Sequence, residues 1–423
     1  MFYIVLLTLL LPLLPLRLLW RSRKAPDYRK RMAERFGFRL PRPRAGGIWV
    51  HAVSVGETFA ASTTIRELLR RQPERSLTIT STTPTGSAQV TNLFGDSVSH
   101  CYAPYDWPLF VWLFLRRVRP DLLVVVETEI WPVTLLLCRG FGIDVVLANA
   151  RLSEKSARGY RKVRWLIEPA IAKVWVAAQH QDDAQRLIAL GANEARVRVT
   201  GSVKFDVVVD QALRDAAQAV SNAFAEANHQ PVWIAASTHA GEETDVLAAH
   251  RALLAQYPRA LLVLAPRHPD RCQEVAKEVL ASGFTLAMRS AASSPAQAAE
   301  NPADVLLVDT LGELMIFFGA AQLAFIGGSL VPVGGHNYLE PACWGLPILS
   351  GPHTHNFSNI AEQLAKVGAL AQVRDAGEFA SAVIGLCDSS EQRQQRGSAA
   401  SKLLSENRGA GERLLALVEE RLE

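Results

Sequence analysis

This sequence of 423 residues has little cysteine and lacks the short motifs of several large enzyme classes. Its five cysteines form no CxxC pair and have no closely spaced histidines, which argues against a zinc cluster or a disulfide framework and favours a reducing compartment. No GxGxxG follows the first predicted strand, and GxxxxGKS/T, HExxH and GxSxG are absent. These absences disfavour nicotinamide dehydrogenases, P-loop ATPases, zinc proteases and α/β-hydrolases.

Charge is absent from the first sixteen residues and concentrated in the stretch that follows. Residues 17–44 hold eleven Lys/Arg and two acids, a net charge of +9. Because the whole chain carries +4, residues 45–423 sum to −5. A mildly acidic body argues against nucleic-acid binding, while 49% hydrophobic residues are enough to bury a large core.

The apolar start MFYIVLLTLLLPLLPL runs directly into the basic stretch. A secretory signal would place its charges first, so we expect residues 1–20 to be a retained membrane anchor. Its sixteen uncharged residues cover only ~24 Å of a ~30 Å hydrocarbon core. Three arrangements of this segment stay open. It is a membrane span that includes residues 17–20, a helix kinked at Pro12 and Pro15 that lies in the membrane interface, or a buried helix followed by a solvated basic loop. In either membrane arrangement, segment 21–46 should lie at an anionic cytoplasmic leaflet.

From Gly47 the chain alternates short apolar strands with amphipathic helices, pauses, and then repeats the pattern. Buried Val/Ile/Leu runs separated by helices predict an α/β protein with two Rossmann-like lobes built on parallel sheets. The expected lobes are 47–206 and 231–405, joined by a linker at 207–230 and followed by a C-terminal helix at 406–423. Stretch 286–303 is predicted to be a polar surface loop. Since ligands bind outside the carboxyl ends of such strands, we expect an interlobe cleft there.

The segment HAVSVGE follows the first predicted strand and ends in Glu57. Ser54 and Gly56 permit a tight turn, and a carboxylate on such a loop is suited to be a general base toward a hydroxyl. A carboxylate stabilised by the helix dipole explains Glu57 equally well. The hydroxyl-rich STTPTGS after the second strand is better explained by capping, through Thr85 or Ser81.

DLLVVVETEIWP ends a buried strand with Glu127 and Glu129, and acids at the end of an apolar strand need partners. One of them is expected either to pair with Arg151 or Lys204 or to organise charge near a reaction centre. Lys204, in TGSVKFD, is either a solvated side chain or a contact for an anionic donor.

In the second predicted lobe, ASTHAGEE places Ser237, Thr238 and Gly241 at a helix start, where free N–H groups favour an anion. Arg267, in APRHPDR, can bind phosphate or carboxylate in a bidentate manner. A surface salt bridge between Arg267 and Asp270 is the alternative.

The stretch FIGGSLVPVGGHNYLEPACWGLPILSGP carries two glycine pairs, Gly327-Gly328 and Gly334-Gly335, ahead of a predicted helix. Glycine lets the backbone approach a phosphate closely, and a helix start favours negative charge. Glu340, inside that helix, could accept hydrogen bonds from ribose hydroxyls. We therefore expect a nucleotide site in the second lobe.

These segments, together with ANARLS, resemble the motif series of bacterial 3-deoxy-D-manno-octulosonic acid (Kdo) transferases of lipopolysaccharide assembly. The resemblance runs in family order from the N-terminus to about residue 405. It implies the GT-B glycosyltransferase architecture and an inverting transfer of Kdo from CMP-Kdo to the lipid A precursor lipid IVA. It also implies no cofactor and no bound metal in the transfer step.

The resemblance assigns a role to individual residues. It makes Glu57 the general base, and Glu127 and Lys204 the groups that stabilise the transition state. Tyr338 and the pair Pro332-Val333 depart from the usual pattern, which puts the local shape of the donor loop in doubt. The implied CMP contacts are Pro266, Arg267, Leu311, Gly312, Glu313, Asn337, Tyr338, Leu339 and Glu340.

The implied partners are CMP-Kdo, lipid IVA and an anionic membrane surface, with no nucleic acid. The implied location is the inner membrane, with the catalytic lobes on the cytoplasmic side. Another GT-B transferase, a sugar epimerase of similar architecture and a membrane-tethered binding module without catalysis are the competing interpretations. The number of Kdo units added and the oligomeric state stay open.

Overall fold

The computed structural model describes residues 4, 7–9, 11–23 and 25–423, and the chain divides into two compact units. The first unit combines Met1–Asp206 with Asn407–Glu423, and the second is Val207–Glu406. Each unit is built on its own parallel sheet.

The first unit contains seven strands in the order β3-β2-β1-β4-β5-β6-β7, all parallel. The strands are β1 (Gly47–His51), β2 (Leu77–Ser81), β3 (Ser99–Tyr102), β4 (Pro120–Val126), β5 (Asp144–Ala150), β6 (Trp175–Ala178) and β7 (Val197–Val199). The helices are α1 (Leu13–Arg21), α2 (Val55–Arg71), α3 (Pro84–Phe94), α4 (Pro108–Val118), α5 (Pro132–Gly140), α6 (Glu154–Arg161), α7 (Arg164–Ile171) and α8 (Gln181–Ala189).

The second unit repeats the plan, with seven parallel strands in the order β10-β11-β9-β8-β12-β13-β14. The strands are β8 (Val232–Thr238), β9 (Leu261–Pro266), β10 (Leu286–Met288), β11 (Val305–Leu307), β12 (Ala324–Ile326), β13 (Ile348–Ser350) and β14 (Leu370–Gln372). The helices are α9 (Gln211–Glu226), α10 (Glu243–Leu254), α11 (Cys272–Ala281), α12 (Pro295–Ala299), α13 (Leu314–Ala320), α14 (Leu339–Cys343), α15 (Ser358–Lys366), α16 (Ala376–Asp388) and α17 (Ser390–Asn407).

The first sheet is buried on both faces, as the apolar strands predict. On β1, Ile48 and Val50 point into one core cluster, whereas Trp49 points into the other. The last helix, α18 (Ala410–Glu419), covers the Ile48 face with Leu414 and Leu417. Because successive residues of a strand face opposite sides of the sheet, the side chains of β1 contribute to two different core clusters.

Two segments differ from their sequence-based prediction. Stretch 207–230, predicted to be a linker, contains α9, whose Ala217, Val220 and Phe224 are buried at helical spacing. Stretch 286–303, predicted to be a surface loop, contains β10 and α12, with Ala298 and Ala299 buried. The sequence analysis gave too little weight to alanine, which fills several of the buried positions in both stretches.

The predicted anchor at 1–20 lies partly outside the described residues. In the described part, α1 buries Leu18 and exposes apolar side chains on its other faces. The exposed ones are Leu13, Leu16, Leu19 and Trp20. Among the described residues no helix is both long and apolar enough to cross a bilayer.

Candidate active site

Glu57 lies where β1 turns into α2, at the carboxyl end of the first sheet. Ser54 is the N-cap of α2, and its hydroxyl accepts a hydrogen bond from the Glu57 N–H at 3.3 Å. In return, the Glu57 carboxylate accepts from the Val53 N–H at 2.7 Å and from the Ser54 hydroxyl at 2.9 Å. The turn therefore closes like a capping box and holds the carboxylate in one orientation.

The electrostatic environment of Glu57 is unusual for a helix cap. Burial raises the pKa of Glu57 to about 7, and the nearby charges of Glu127 and Glu129 also raise it, against the lowering effect of its two hydrogen bonds. A carboxyl group with that pKa exchanges its proton near neutral pH. Glu57 therefore closes the turn at the start of α2 with a pKa near neutrality, and its role as a base stays a prediction.

Glu127 follows β4 and has a left-handed backbone, with φ of 61°. Its carboxylate Oε1 lies 3.5 Å from the Lys204 Nζ, and each side chain is about one-third exposed (34% and 35%). A pair so open to water adds little stability, which leaves both charges accessible to a ligand. The sequence analysis named Arg151 and Lys204 as possible partners of Glu127 or Glu129. Among the described residues, Lys204 forms an ion pair with Glu127, and Arg151 forms none with either glutamate.

The Lys204 turn is fixed by groups that the sequence did not single out. Val203–Phe205 forms a short 3-10 turn, and Phe205 is buried beneath it. The Asn149 Oδ1 accepts a hydrogen bond from the Val203 N–H at 3.2 Å. Asn149 belongs to the quoted ANARLS segment, so its position was visible in the sequence but its contact was not.

Glu129 and His51 complete this end of the sheet. The Trp131 Nε1 donates to the Glu129 Oε2 at 2.7 Å, which occupies one oxygen of that carboxylate. His51 is buried, its Nδ1 lies 2.9 Å from the Thr80 Oγ1, and burial lowers its pKa to about 4. His51 is therefore neutral at pH 7, which leaves Glu57 as the group there that titrates near neutrality.

In the second unit, the N–H groups of the glycine loop are hydrogen-bonded within the protein. All four glycine N–H groups already have backbone or side-chain acceptors: Gly327 to the Ala236 carbonyl, Gly328 to a glutamate carboxylate, and Gly334 and Gly335 to the Gly328 carbonyl. These four N–H groups are therefore engaged within the protein, and the expected close approach of a phosphate to this loop stays a prediction.

The glycines are needed for close packing instead. A Cβ on Gly327 would lie 2.6 Å from the Ser237 carbonyl oxygen and 2.7 Å from the Thr238 Cα. A Cβ on Gly328, whose φ is 67°, would lie 3.0 Å from the His336 ring. The loop thus lies directly against the end of β8, where a side chain has no room.

Side chains, not backbone N–H groups, supply the polar donors of this region. Arg267 is exposed at the end of β9 and forms no ion pair with Asp270 among the described residues. The His239 and His336 Nε2 atoms lie 2.8 Å apart, and burial, followed by the charge of Arg267, lowers the pKa of His336 to about 4. The guanidinium is therefore the permanent positive charge among these three groups at pH 7.

Glu340 lies in α14 and is oriented by its neighbour. The Asn337 Nδ2 donates to the Glu340 Oε1 at 2.9 Å, while the Asn337 Oδ1 accepts from the Leu339 N–H. Burial raises the pKa of Glu340, which the Asn337 hydrogen bond and the charge of Arg267 partly oppose. The positive charge of Arg267 is therefore close enough to lower the pKa of Glu340.

The other predicted donor contacts differ in how exposed they are and in which groups already bind them. Tyr338 is fully buried, with its hydroxyl 2.8 Å from the Ser350 Oγ, and Leu339 is buried too, so neither residue presents surface to a ligand. Glu313 is occupied by Arg289, whose Nη2 lies 2.7 Å from the Glu313 Oε1. Leu311 and Gly312 are exposed just ahead of α13, and Pro266 ends β9.

The residue that caps α3 differs from the two candidates named in the sequence analysis. Thr83, rather than Thr85 or Ser81, caps α3 by accepting from the Gly86 N–H. Within the part of the chain that the structure describes, no group of three His, Cys, Asp or Glu side chains is arranged to hold a metal ion.

Comparison with known proteins finds a family model and relatives that are described by the same activity. A family model described as 3-deoxy-D-manno-octulosonic-acid transferase (kdotransferase) matches residues 30–207. The 3-deoxy-D-manno-octulosonic acid transferase of Haemophilus influenzae is 39% identical over 100% of this chain and 98% of its own length. The enzyme of the same name from Bordetella pertussis is 37% identical over 96% of each chain.

Solved structures resemble the whole chain at lower identity. The S. aureus MnaA–UDP co-structure has a TM-score of 0.55 and 14% identity, over 89% of this chain and 97% of that chain. A glycosyltransferase from Rickettsia africae ESF-5 has a TM-score of 0.55 and 11% identity, over 90% and 100%. These likenesses show the fold alone, and they confirm the predicted GT-B architecture with two Rossmann-like units.

Proposed function

Because this chain belongs to the 3-deoxy-D-manno-octulosonic acid (Kdo) transferases and is an enzyme of that activity, we propose that it transfers Kdo from CMP-Kdo to lipid IVA with inversion at the anomeric carbon. The observation that carries the proposal is a carboxyl group at the end of β1 whose pKa is raised to about 7, near the Glu127 carboxylate that pairs with Lys204. Those groups suit the attack of a hydroxyl on a sugar carbon.

In the proposed reaction, Glu57 is the general base. The acceptor hydroxyl attacks the anomeric carbon of Kdo and forms the new C–O bond, while its proton passes to the Glu57 carboxylate. The bond from that carbon to the CMP phosphate breaks, and its electron pair leaves with CMP. Attack on the face opposite the leaving group inverts the anomeric centre.

Lys204 and Glu127 are proposed to stabilise charge during that step. An ammonium group stabilises negative charge that develops on the departing phosphate, and a carboxylate stabilises positive charge on the sugar ring. Their ion pair supports this role, because each holds the other in place while both remain one-third exposed. No cofactor is assigned to the reaction.

We propose that the second unit binds the donor nucleotide. Arg267 is suited to the CMP phosphate because it is exposed, permanently charged and able to make two parallel hydrogen bonds. Glu340 and Asn337 are suited to ribose hydroxyls, since they already form a rigid hydrogen-bonded pair. Pro266, Leu311, Gly312 and Glu313 are proposed as further CMP contacts, whereas the buried Tyr338 and Leu339 are proposed to support the site from within the protein.

The acceptor is a membrane lipid, and the N-terminal region supports a location at the inner membrane, with both units on the cytoplasmic side. The exposed apolar side chains of α1 are suited to the lipid interface. The eleven basic residues of 17–44 are suited to an anionic membrane surface and to the acceptor's phosphates.

Truncation separates these two contributions. Removal of residues 1–20 should leave salt-sensitive binding to anionic vesicles, because each basic residue near such a surface contributes ~1 kcal/mol. Vesicle co-sedimentation at low and high salt measures this. Equal binding of the truncated protein to neutral and anionic vesicles would contradict the electrostatic part.

Incubation of the purified protein with CMP-Kdo and lipid IVA tests the proposed reaction. We expect CMP release in step with a lipid product heavier by whole Kdo units, and NMR of that product should show the anomeric configuration opposite to that of the donor. Omission of the lipid is the control. CMP release without a heavier lipid would contradict the acceptor, and retained configuration would contradict the mechanism.

A further inference from the structure

Glu242 is a fully buried glutamate that lies outside the proposed catalytic and nucleotide-binding residues. It follows the loop after β8 and forms the N-cap position of α10, with 0% of its surface exposed. Removing a carboxylate from water is costly unless hydrogen bonds compensate for the lost solvation. What surrounds Glu242 therefore indicates what it does.

Four backbone N–H groups surround the Glu242 carboxylate. Its Oε1 accepts from Ser329 at 2.9 Å and from Leu330 at 2.8 Å. Its Oε2 accepts from Gly328 at 2.6 Å and from His239 at 2.9 Å. Three successive N–H groups of the glycine loop thus form a concave nest of the kind that binds phosphates and other anions.

The chain's own carboxylate therefore fills this nest permanently. A donor phosphate is excluded from it, which agrees with the absence of a free N–H on either glycine pair. The glycine loop obtains its shape without a ligand. Gly327 contributes to this fit, because a Cβ there would lie 2.8 Å from the Glu242 Oε2.

The contacts of Glu242 reach the polar side chains around the loop. Glu242 holds the backbone of His239, whose ring bonds to the His336 ring at 2.8 Å. It also holds the backbone of Ser329, whose hydroxyl accepts from the Gly351 N–H and whose carbonyl accepts from the His353 N–H. Three separate segments of the second unit are thus aligned through one carboxylate.

We infer that Glu242 is a positioning residue that acts as an internal anion, holding the turn Gly328–Leu330 and the His239–His336 pair in the shape that receives the donor. This inference rests on the proposed binding of CMP-Kdo by the second unit. Glu242 touches neither donor nor acceptor in this role. It replaces, inside the protein, the anion that such a nest would otherwise take from solution.

The next residue provides a matched control. Glu243 is also 0% exposed, but its carboxylate is engaged by Arg271, with Nη1 at 2.9 Å and Nη2 at 3.3 Å. Glu242→Gln replaces one acceptor oxygen by an NH₂ group, so two of the four N–H groups face a donor. Glu243→Gln removes a buried charge of the same sign one residue away and leaves the nest intact.

Hydrogen exchange followed by mass spectrometry, with CMP calorimetry, tests the inference on the full-length protein. We expect slow exchange at His239 and Gly328–Leu330 in the parent, faster exchange in Glu242→Gln, and no change there in Glu243→Gln. The Kd for CMP should rise at least about tenfold in Glu242→Gln only. In turnover, KM for CMP-Kdo should rise by more than kcat falls.

Each other outcome has a defined meaning. Unchanged exchange and CMP affinity in Glu242→Gln, or the same loss of CMP affinity in Glu243→Gln, would overturn the inference. A parent that does not bind CMP would instead overturn the proposed donor, while the exchange measurement would still test the loop. If Glu242→Gln does not fold, Gly327→Ala takes its place as the test variant. Fast exchange of the His239 and Gly328–Leu330 amides in the parent protein would by itself contradict the inference.

Discussion

Each unit has a glutamate at the start of the helix that follows β1 or β8, but the two carboxylates have different surroundings. Glu57, the third residue of α2, accepts one backbone and one hydroxyl hydrogen bond and remains part-exposed. Glu242, the N-cap residue of α10, accepts four backbone hydrogen bonds and is fully buried. Corresponding turns of a repeated fold thus provide one group that can take up a proton and one that anchors a loop.

The number of donors explains the difference. A base must gain a proton during the reaction, so it cannot have every lone pair committed to fixed N–H groups. Glu57 keeps lone pairs free, and burial beside two acids brings its pKa to about 7. In Glu242, by contrast, each carboxylate oxygen already accepts two backbone hydrogen bonds.

The largest expected effect comes from removing the proposed base. Glu57→Gln keeps the size of the side chain and one carbonyl oxygen for the Val53 N–H, but it cannot accept the acceptor's proton. We expect a folded protein that binds CMP-Kdo and loses roughly 10²–10⁴ in kcat. Single-turnover assays with lipid IVA, run beside a thermal melt, measure both properties.

Ser54→Ala is the matched control for that variant. It removes the N-cap hydroxyl but leaves the carboxylate, so it should cost about 0.5–2 kcal/mol of stability and retain most turnover. If both variants lost stability alike and turned over within a few-fold of the parent, Glu57 would be a structural cap like Glu242, and Glu127 would become the next candidate base.

Lys204→Met should have the second-largest effect. It keeps the length of the side chain but removes the charge paired with Glu127, so we expect kcat to fall by roughly 10² through lost electrostatic stabilisation. Steady-state kinetics at saturating CMP-Kdo check this. Lys155→Met, at an exposed position in α6, should leave kcat unchanged, and an equal loss in both variants would contradict a local role.

Glu340→Ala should affect binding more than turnover. It removes one or two charged hydrogen bonds to the donor, each worth about 1.5–3 kcal/mol at most, so CMP affinity should fall by roughly tenfold or more. Arg267→Ala should raise KM for CMP-Kdo and also lower kcat if the guanidinium follows the leaving phosphate. Calorimetry with CMP tests both, and unchanged affinity in folded variants would move the donor site elsewhere.

The smallest expected effect is a pH-dependent difference in stability. The folded pKa of Glu57, about 7, lies above the ordinary value of 4.5, so between these values the folded state binds more protons than the unfolded state. The free energy of unfolding of the parent should therefore decrease as pH rises through that window. Thermal melts from pH 4 to 8 should show Glu57→Gln gaining stability relative to the parent, whereas a constant difference would contradict the raised pKa.

Much of the fold could be predicted from the sequence because central strands are strongly apolar. The runs around Val50, Val124 and Ile234 predicted buried parallel strands, which the structure confirms. The edge strand β10 was missed because three residues are too few to show an alternating pattern. Helix α9 was missed although its buried residues recur at helical spacing, because several of them are alanine and its other positions are polar.

The candidate site was only partly predictable, because spacing along the chain does not show which hydrogen bonds form across it. Glu57 was identified from its own turn, where all its hydrogen-bond partners are within four residues. The hydrogen bond of the Gly328 N–H was not predicted, because its acceptor, Glu242, lies 86 residues earlier in the chain. A nest and the anion that fills it can be recognised separately in a sequence, but their contact belongs to the tertiary structure.

Helix α18 has a consequence for how the protein is made. Its Leu414 and Leu417 cover one face of the first sheet, yet the ribosome synthesises them only after the whole second unit. During translation, the second unit can fold as soon as it emerges, whereas the part of the first sheet that α18 covers stays exposed beside α2 and α3. A nascent chain stalled before residue 410 therefore exposes that apolar patch, and a premature stop codon there leaves an incomplete first unit that is prone to aggregate.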